Sequence, residues 1–290
     1  MARAAVINDF VTPLKQILST KSRFRESQVS EFIDGSHKLH RCHLGKKWTV
    51  DQSVAELLRP EWMQRVKRFN VDEWQSVADE IWKTACRALG KVPKPEIYLY
   101  PSFGRHNGRV YLIDKRPIIA CSPDFPMTCG KNIRLILAHE YAHFARWRTT
   151  GLSSENTPLF ATLYEEGWAT WQSSKLLPGG TLSEIFMARM HKLVGLPDPQ
   201  GGYMRWCRTN LKAIAAAIAP LLQSRERNDE RRFFEGARFD GDNTPIRAGY
   251  YLGYRMVEML ADLDSPRELL LLRPTRRQVS QWVNQLIINA

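Results

Sequence analysis

The segment from Lys131 to Arg148 constrains the fold more than any other part of the chain. Ile133, Leu135, Ile136, Leu137 and Ala138 are apolar nearly all round a helix, as in a helix buried on every side. Into that run the chain inserts His139-Glu140-Tyr141-Ala142-His143. Positions i and i+4 share a helix face, so both imidazoles point the same way, about 6 Å apart at Cβ. Two imidazoles so placed can grip one metal ion. Burying His, Glu and His together without a cation would desolvate polar groups at high cost. Glu140, one step round the helix, lies beside the open coordination position, where it can take a proton from water.

A third ligand is available downstream, in Glu165-Glu166-Gly167-Trp168-Ala169. The stretch from 144 to 165 is long enough for the first helix to end, a turn, and a second helix to pack back. Adjacent residues on a helix point about 100° apart, so only one of the two carboxylates can face the metal. Small residues at Gly167 and Ala169 would let this helix approach the motif helix closely. Glu166 is therefore assigned as the ligand, which leaves Glu165 solvated or holding an outer hydrogen bond.

The surrounding pattern predicts an α+β protein, mainly helical. The first 90 or so residues read as helical, clearest from Val71 to Leu89, with Trp74, Val77, Ile81 and Trp82 on one side and Gly90 as a stop. Pro93 and Pro95 break that pattern, which puts an N-terminal helical region at 1–92 and a second domain at 93–290. Strands are expected at Glu96–Tyr100, Arg109–Ile113 and Pro117–Ser122, a small mixed or antiparallel sheet packed on the motif helix. Gly151 should end that helix. Thr157 then reads as an N-cap with Pro158 at the first helical position. Further helices are expected at about 182–194, 203–224, 246–262, 266–272 and 275–288, with a charged loop at 225–245.

The chain has 290 residues and a net charge of +12. The basic residues interleave with Glu26, Glu226, Asp229 and Glu230, which favours a solvated surface over a nucleic-acid stripe. No apolar run approaches the roughly 18 residues of a membrane span, and Met1–Leu18 has no clean signal core. The five cysteines, Cys42, Cys86, Cys121, Cys129 and Cys207, are few and odd in number and fit a reduced, cytoplasmic setting. A Cys121–Cys129 bridge is the minority alternative. His37, His40, Cys42 and His43 could form a second metal cluster only if their loop folded tightly, and His106 reads as a hairpin-tip residue.

His-Glu-x-x-His followed by Glu-Gly-aromatic-Ala resembles the gluzincin metallopeptidases, the clan of thermolysin and the zinc aminopeptidases. Ile136–Trp168 is similar to a bacterial family of predicted zinc-dependent proteases, as are Arg247–Arg255 and Pro266–Pro274; the likeness spans roughly residues 95–290. It implies a zincin-like core, Zn2+ on His139, His143 and Glu166, Glu140 as general base, and endopeptidase action on a peptide or protein substrate. It also implies that the strand Pro117–Ser122 pairs with an extended substrate. An oxyanion donor is expected among Tyr250, Tyr251 and Tyr254, with Tyr251 favoured; helix packing is the plainer role for each. Two features depart from the clan. No Gly-x-Met-Glu-Asn motif appears, and Thr170 stands where thermolysin-like enzymes carry an Asp. Two other functions remain open: a regulatory peptidase acting on a repressor or DNA-associated protein, to which Leu176-Leu177-Pro178 is similar, and a catalytically inactive zinc-fold binding protein.

Overall fold

The computed structural model describes residues 6–20, 22–35, 49–102, 107–123, 131–151, 157–186, 202–235 and 247–289. The protein is α+β, mainly helical, with a mixed sheet of four strands. It divides into two compact units, Met1–Cys86 with Pro93–Phe144, and Arg87–Val92 with Ala145–Ala290. This division passes within two helices and also cuts the chain between Val92 and Pro93. His37, His40, Cys42, His43, His106 and Cys129 lie outside the described residues.

The first unit holds the sheet: β1 (Val6–Asp9), β2 (Glu96–Leu99), β3 (Gly108–Ile113) and β4 (Arg116–Cys121), in the order β1-β2-β4-β3. β1–β2 and β2–β4 are parallel, whereas β3–β4 is antiparallel. β4 is buried from Pro117 to Cys121, as an interior strand should be. The β3–β4 hairpin turns on Asp114 and Lys115, with φ of 50° and 64°, the two positive values of a type I′ turn. Register sets Leu99, Cys121 and Gly108 in one row and Ile97, Ile119 and Val110 in the next, on one face. Tyr100, Tyr111, Ile118 and Ala120 form the core of the other face, where Phe10, Tyr98 and Ile113 pack.

β1 corrects the helical reading of the first 90 residues. Its four residues are a strand because β2 pairs with them. The Asp9 carboxylate then accepts the N–H groups of Val11 and Thr12, at 2.8 and 3.0 Å, and opens α1 (Val11–Leu18). The helices α2 (Ser22–Gly35), α3 (Val50–Leu57), α4 (Pro60–Lys67) and α5 (Val71–Leu89) follow. The buried stripe of α5 is Trp74, Ala78, Ile81, Ala85 and Leu89, while Val77 and Trp82 are only half-buried. Gly90, at φ +74°, closes that helix.

The motif helix α6 runs from Lys131 to Thr150. Gly151, at φ +70°, ends it and donates to the Trp147 carbonyl. Among the described residues α7 (Leu159–Leu176), α8 (Leu182–Ile185), α9 (Tyr203–Thr209) and α10 (Leu211–Ile218) come next. The expected single helix at 203–224 is broken at Asn210 and ends in a 3-10 turn at Ala219–Leu221. Residues 227–235, expected as loop, are helical: α11 (Arg227–Glu230) runs into a π turn at Arg231–Glu235. The chain closes with α12 (Ala248–Leu260), α13 (Pro266–Leu271) and α14 (Arg276–Asn289). No helix among the described residues is long and apolar enough to cross a membrane.

α7 starts differently from expectation. Pro158 occupies the N-cap position and no side chain caps the helix. The N–H groups of Leu159 and Phe160 donate instead to the backbone carbonyls of Ser224 and Leu222, at 2.8 and 2.9 Å. Those carbonyls satisfy orphan donors that Thr157 was expected to serve. α7 is buried nearly all round and crosses α12 backbone to backbone. A Cβ added at Gly253 would stand 2.8 Å from the Gly167 Cα. The small residue after Glu166 therefore admits α12, where the sequence suggested the motif helix.

Candidate metal centre

α6 presents its polar residues from within an apolar surface. Ile133, Ile136, Leu137, Ala138, Tyr141, Ala142, Phe144 and Ala145 are all buried. Tyr141 is tied down further, donating through its hydroxyl to the Pro93 carbonyl at 2.9 Å. Glu140 and His143 are buried among them, and His139 is half-buried.

The two imidazoles face each other edge to face, with Nε2 atoms 3.3 Å apart. That separation can be set against metal geometry. Two nitrogens each 2.0–2.1 Å from a tetrahedral ion lie about 3.3 Å from one another. The pair thus has the spacing that one shared cation imposes. Glu166 joins the group: one ligand atom from each of His139, His143 and Glu166 lies within 4.8 Å of the others. The longer reach is about 1.5 Å more than two ligands of one ion require, a distance that side-chain rotation covers. Two imidazoles and a carboxylate suit zinc, and also other first-row divalent metals.

Glu140 sits against the sheet. A Cβ added at Gly108 would meet the Glu140 Cγ and the Ile136 Cγ2, each at 2.8 Å, so the bare glycine backbone is in direct contact with that side chain. Cys121, the cross-strand partner of Gly108, lies close enough for the two acids to interact. Burial pushes the Cys121 thiol well up and Glu140 adds to the effect, so it stays neutral in the folded protein. Cys121 is a free thiol.

Glu165 is separated from Glu166 by its partner. It is buried, and its Oε1 accepts from Arg146 Nε at 2.6 Å. The solvated alternative for Glu165 is thus overturned. Thr170, in the place of the clan's Asp, donates to the Glu166 carbonyl at 2.7 Å, one turn back. It supports the helix backbone.

The tyrosines divide their roles. The Tyr251 hydroxyl accepts from Arg255 at 3.5 Å and its ring packs on Phe186. Tyr254 donates to Glu258 at 2.8 Å, and burial together with that carboxylate raises its pKa. Tyr250 packs edge-on against Phe234 and lies under the Arg247 guanidinium, 4.5 Å from the ring centre. Arg247 itself stands in the left-handed region, φ 58°, at the start of α12. Burial works against its charge, but Tyr250, Tyr203 and Glu166 more than offset it and raise its pKa. A permanent cation therefore acts on the Glu166 carboxylate. Sequence reading passed over Arg247 in favour of the aromatic residues beside it, although it opens the same motif.

The strand expected to receive substrate is not free. β4 is paired on both sides, to β2 and to β3, and its backbone groups are already used. Among the described residues β3 is an edge of the sheet, and Gly108 brings its first residue against Glu140.

Comparisons with protein-family models, with curated proteins and with solved structures return no match for this chain.

Proposed function

We propose that the chain is a zinc-dependent peptidase of the gluzincin type, with an endopeptidase's action on an internal peptide bond. The observation that carries the reading is the 3.3 Å separation of the His139 and His143 Nε2 atoms, with Glu166 in the same group and Glu140 on the same helix. The zincin-like core is the coarser α+β arrangement given that role: a small sheet whose Gly108 row meets the motif helix at Glu140.

His139, His143 and Glu166 would hold the ion. When bound, it would polarise a water molecule and the substrate carbonyl. Glu140 accepts a proton from that water and returns it to the leaving amine, a general-base and general-acid pair in one carboxylate. Its contact with Gly108 restricts its rotamers and keeps it beside the strand. An extended substrate would lie along β3, an edge of the sheet among the described residues, by strand addition, which would bring its backbone past Glu140. Tyr251 accepts from Arg255, which leaves its own O–H able to donate, and the donor to the developing oxyanion would come from Tyr251, or from Arg247 or the tyrosine beneath it.

The test joins metal content with activity. Wild-type protein loaded with zinc should bind one ion per chain and cleave a mixed peptide library, with cleavage sites read by mass spectrometry. Glu140→Gln should keep the zinc and lose cleavage by a factor of 10³ or so, about 4 kcal/mol of barrier. Cleavage by that variant at the wild-type rate would remove Glu140 from the mechanism. Wild-type protein that takes up no metal would remove the centre altogether.

A further inference from the structure

We infer that Arg146 is the positioning residue of the metal centre, acting through Glu165 and through the end of α13. The inference rests on the metal reading above. Arg146 lies three residues after His143 on the same helix, almost one turn on. Glu165 immediately precedes Glu166. The ion pair between them, at 2.6 Å, has side chains only 1% and 8% exposed. It therefore joins the helix of the histidines to the helix of the glutamate in a dry setting, beside both ligands.

A lone buried ion pair is weak support for any arrangement, because desolvation offsets much of the attraction. Arg146 is not alone. Its Nη1 donates to the Leu270 carbonyl at 2.6 Å and the Leu269 carbonyl at 3.3 Å, and its Nη2 to the Leu272 carbonyl at 2.6 Å. These carbonyls end α13, and those of Leu270 and Leu272 lie where a helix C-terminus leaves acceptors without intrahelical partners and a cation is favoured. The guanidinium also lies over the Tyr164 ring, 4.8 Å from its centre, and the Tyr164 hydroxyl donates to the Leu269 carbonyl at 2.8 Å. Arg273 reinforces the same corner by donating to the Thr150 carbonyl at the end of α6.

A planar fork with four of its donors committed fixes rotation as well as distance. If α7 turned by one residue, about 100°, Glu165 would take the direction Glu166 now has and Glu166 would turn away from it. Arg146 opposes that turn, since it holds Glu165 by its carboxylate and α6 by its own backbone. The segment from Ser265 to Arg273 becomes part of the frame of the centre, although it supplies no ligand.

The experiment compares metal binding with folding. Arg146→Met with Glu165→Met removes both charges together, a replacement that buried pairs tolerate. Arg146→Lys keeps the charge and reaches fewer acceptors. For each, metal-free thermal unfolding, zinc affinity by chelator competition, and the ligand-field spectrum of the cobalt-loaded protein are measured. The double variant should fold, bind zinc tenfold or more weakly, and show altered cobalt bands; the lysine variant should fall between. Wild-type affinity and spectrum in a folded double variant would overturn the inference. So would an affinity loss no larger than the loss of folded protein. Wild-type protein without measurable zinc binding would instead sink the metal reading itself, and this inference with it.

Discussion

Gly108→Ala is the sharpest probe of how the sheet serves Glu140. The added methyl would stand 2.8 Å from the Glu140 Cγ and 2.8 Å from the Ile136 Cγ2, against 3.4 Å for ordinary contact, so the neighbours must give by about 0.6 Å. Gly108 is in a paired strand and is not among the residues with positive φ, so the backbone accepts alanine and the change is one of space alone. Ile136 is buried and can move little. The Glu140 side chain is the part that yields. Misplacing a catalytic group by about 1 Å costs roughly 10²-fold, so a shift of this size should lower kcat about tenfold or somewhat more. Overpacking should also cost about 1–3 kcal/mol of stability. The assay is kcat and KM on a peptide cleaved by wild type, beside zinc content and a urea unfolding curve. Zinc should stay at one per chain, because the clash involves neither imidazole. Unchanged kcat in a folded, zinc-loaded variant would refute the role given to this contact. So would activity lost only in proportion to lost zinc, since the methyl would then act through the ligands.

Other substitutions test the frame. Gly253→Ala should destabilise the protein by about 3 kcal/mol or more in urea unfolding, because its Cβ meets the backbone at Gly167, 2.8 Å from Cα, and neither helix can turn aside; wild-type stability would deny the close crossing. Lys115→Gly should raise stability by roughly 0.5–1 kcal/mol, as relief of a left-handed lysine worth about 1–2 outweighs the entropy of glycine. A loss in the same unfolding curve would mean the turn has another conformation. In the folded protein at pH 8, iodoacetamide should label Cys86 well before Cys121 and Cys207. Burial raises both latter thiols, Cys207 to about 12, so they remain protonated until the pH rises much further. Peptide mapping showing Cys121 alkylated as fast as Cys86 would contradict its buried position.

The parts legible in the sequence are those whose cause is local. The motif helix declares itself because an apolar surface surrounds three polar residues at helical spacing. β2, β3 and β4 declare themselves by β-branched residues and by turn residues between them. β1 does not, since Val6–Asp9 is a strand only by pairing with β2, some 90 residues later. The cap of α7 is equally hidden: Thr157 has the right chemistry, but the carbonyls of Leu222 and Ser224 arrive first. Gly167 announces a close approach without saying to what, and only the fold names Gly253. Arg146 looks in sequence like one more basic residue among many. Its meaning lies in acceptors at 269, 270 and 272, which no local pattern connects to it.

The adjacent glutamates show how the remote parts determine the local chemistry. Glu165 and Glu166 are the same side chain one step apart, and intrinsic affinity for a metal cannot choose between them. The choice is made by what each would lose. Glu165 at the metal would strand the Arg146 guanidinium in a buried place with only neutral carbonyls, and an uncompensated buried charge costs about 3–5 kcal/mol. Glu166 leaves that pair intact and interacts with the Arg247 cation. The Gly167–Gly253 crossing adds a steric reason, because a turned α7 would bring a larger residue against the α12 backbone. Three interactions, one from α6 and two from α12, thus favour one carboxylate over its neighbour. If the proposed centre holds a metal, its affinity should therefore respond to substitutions in segments that never touch the ion.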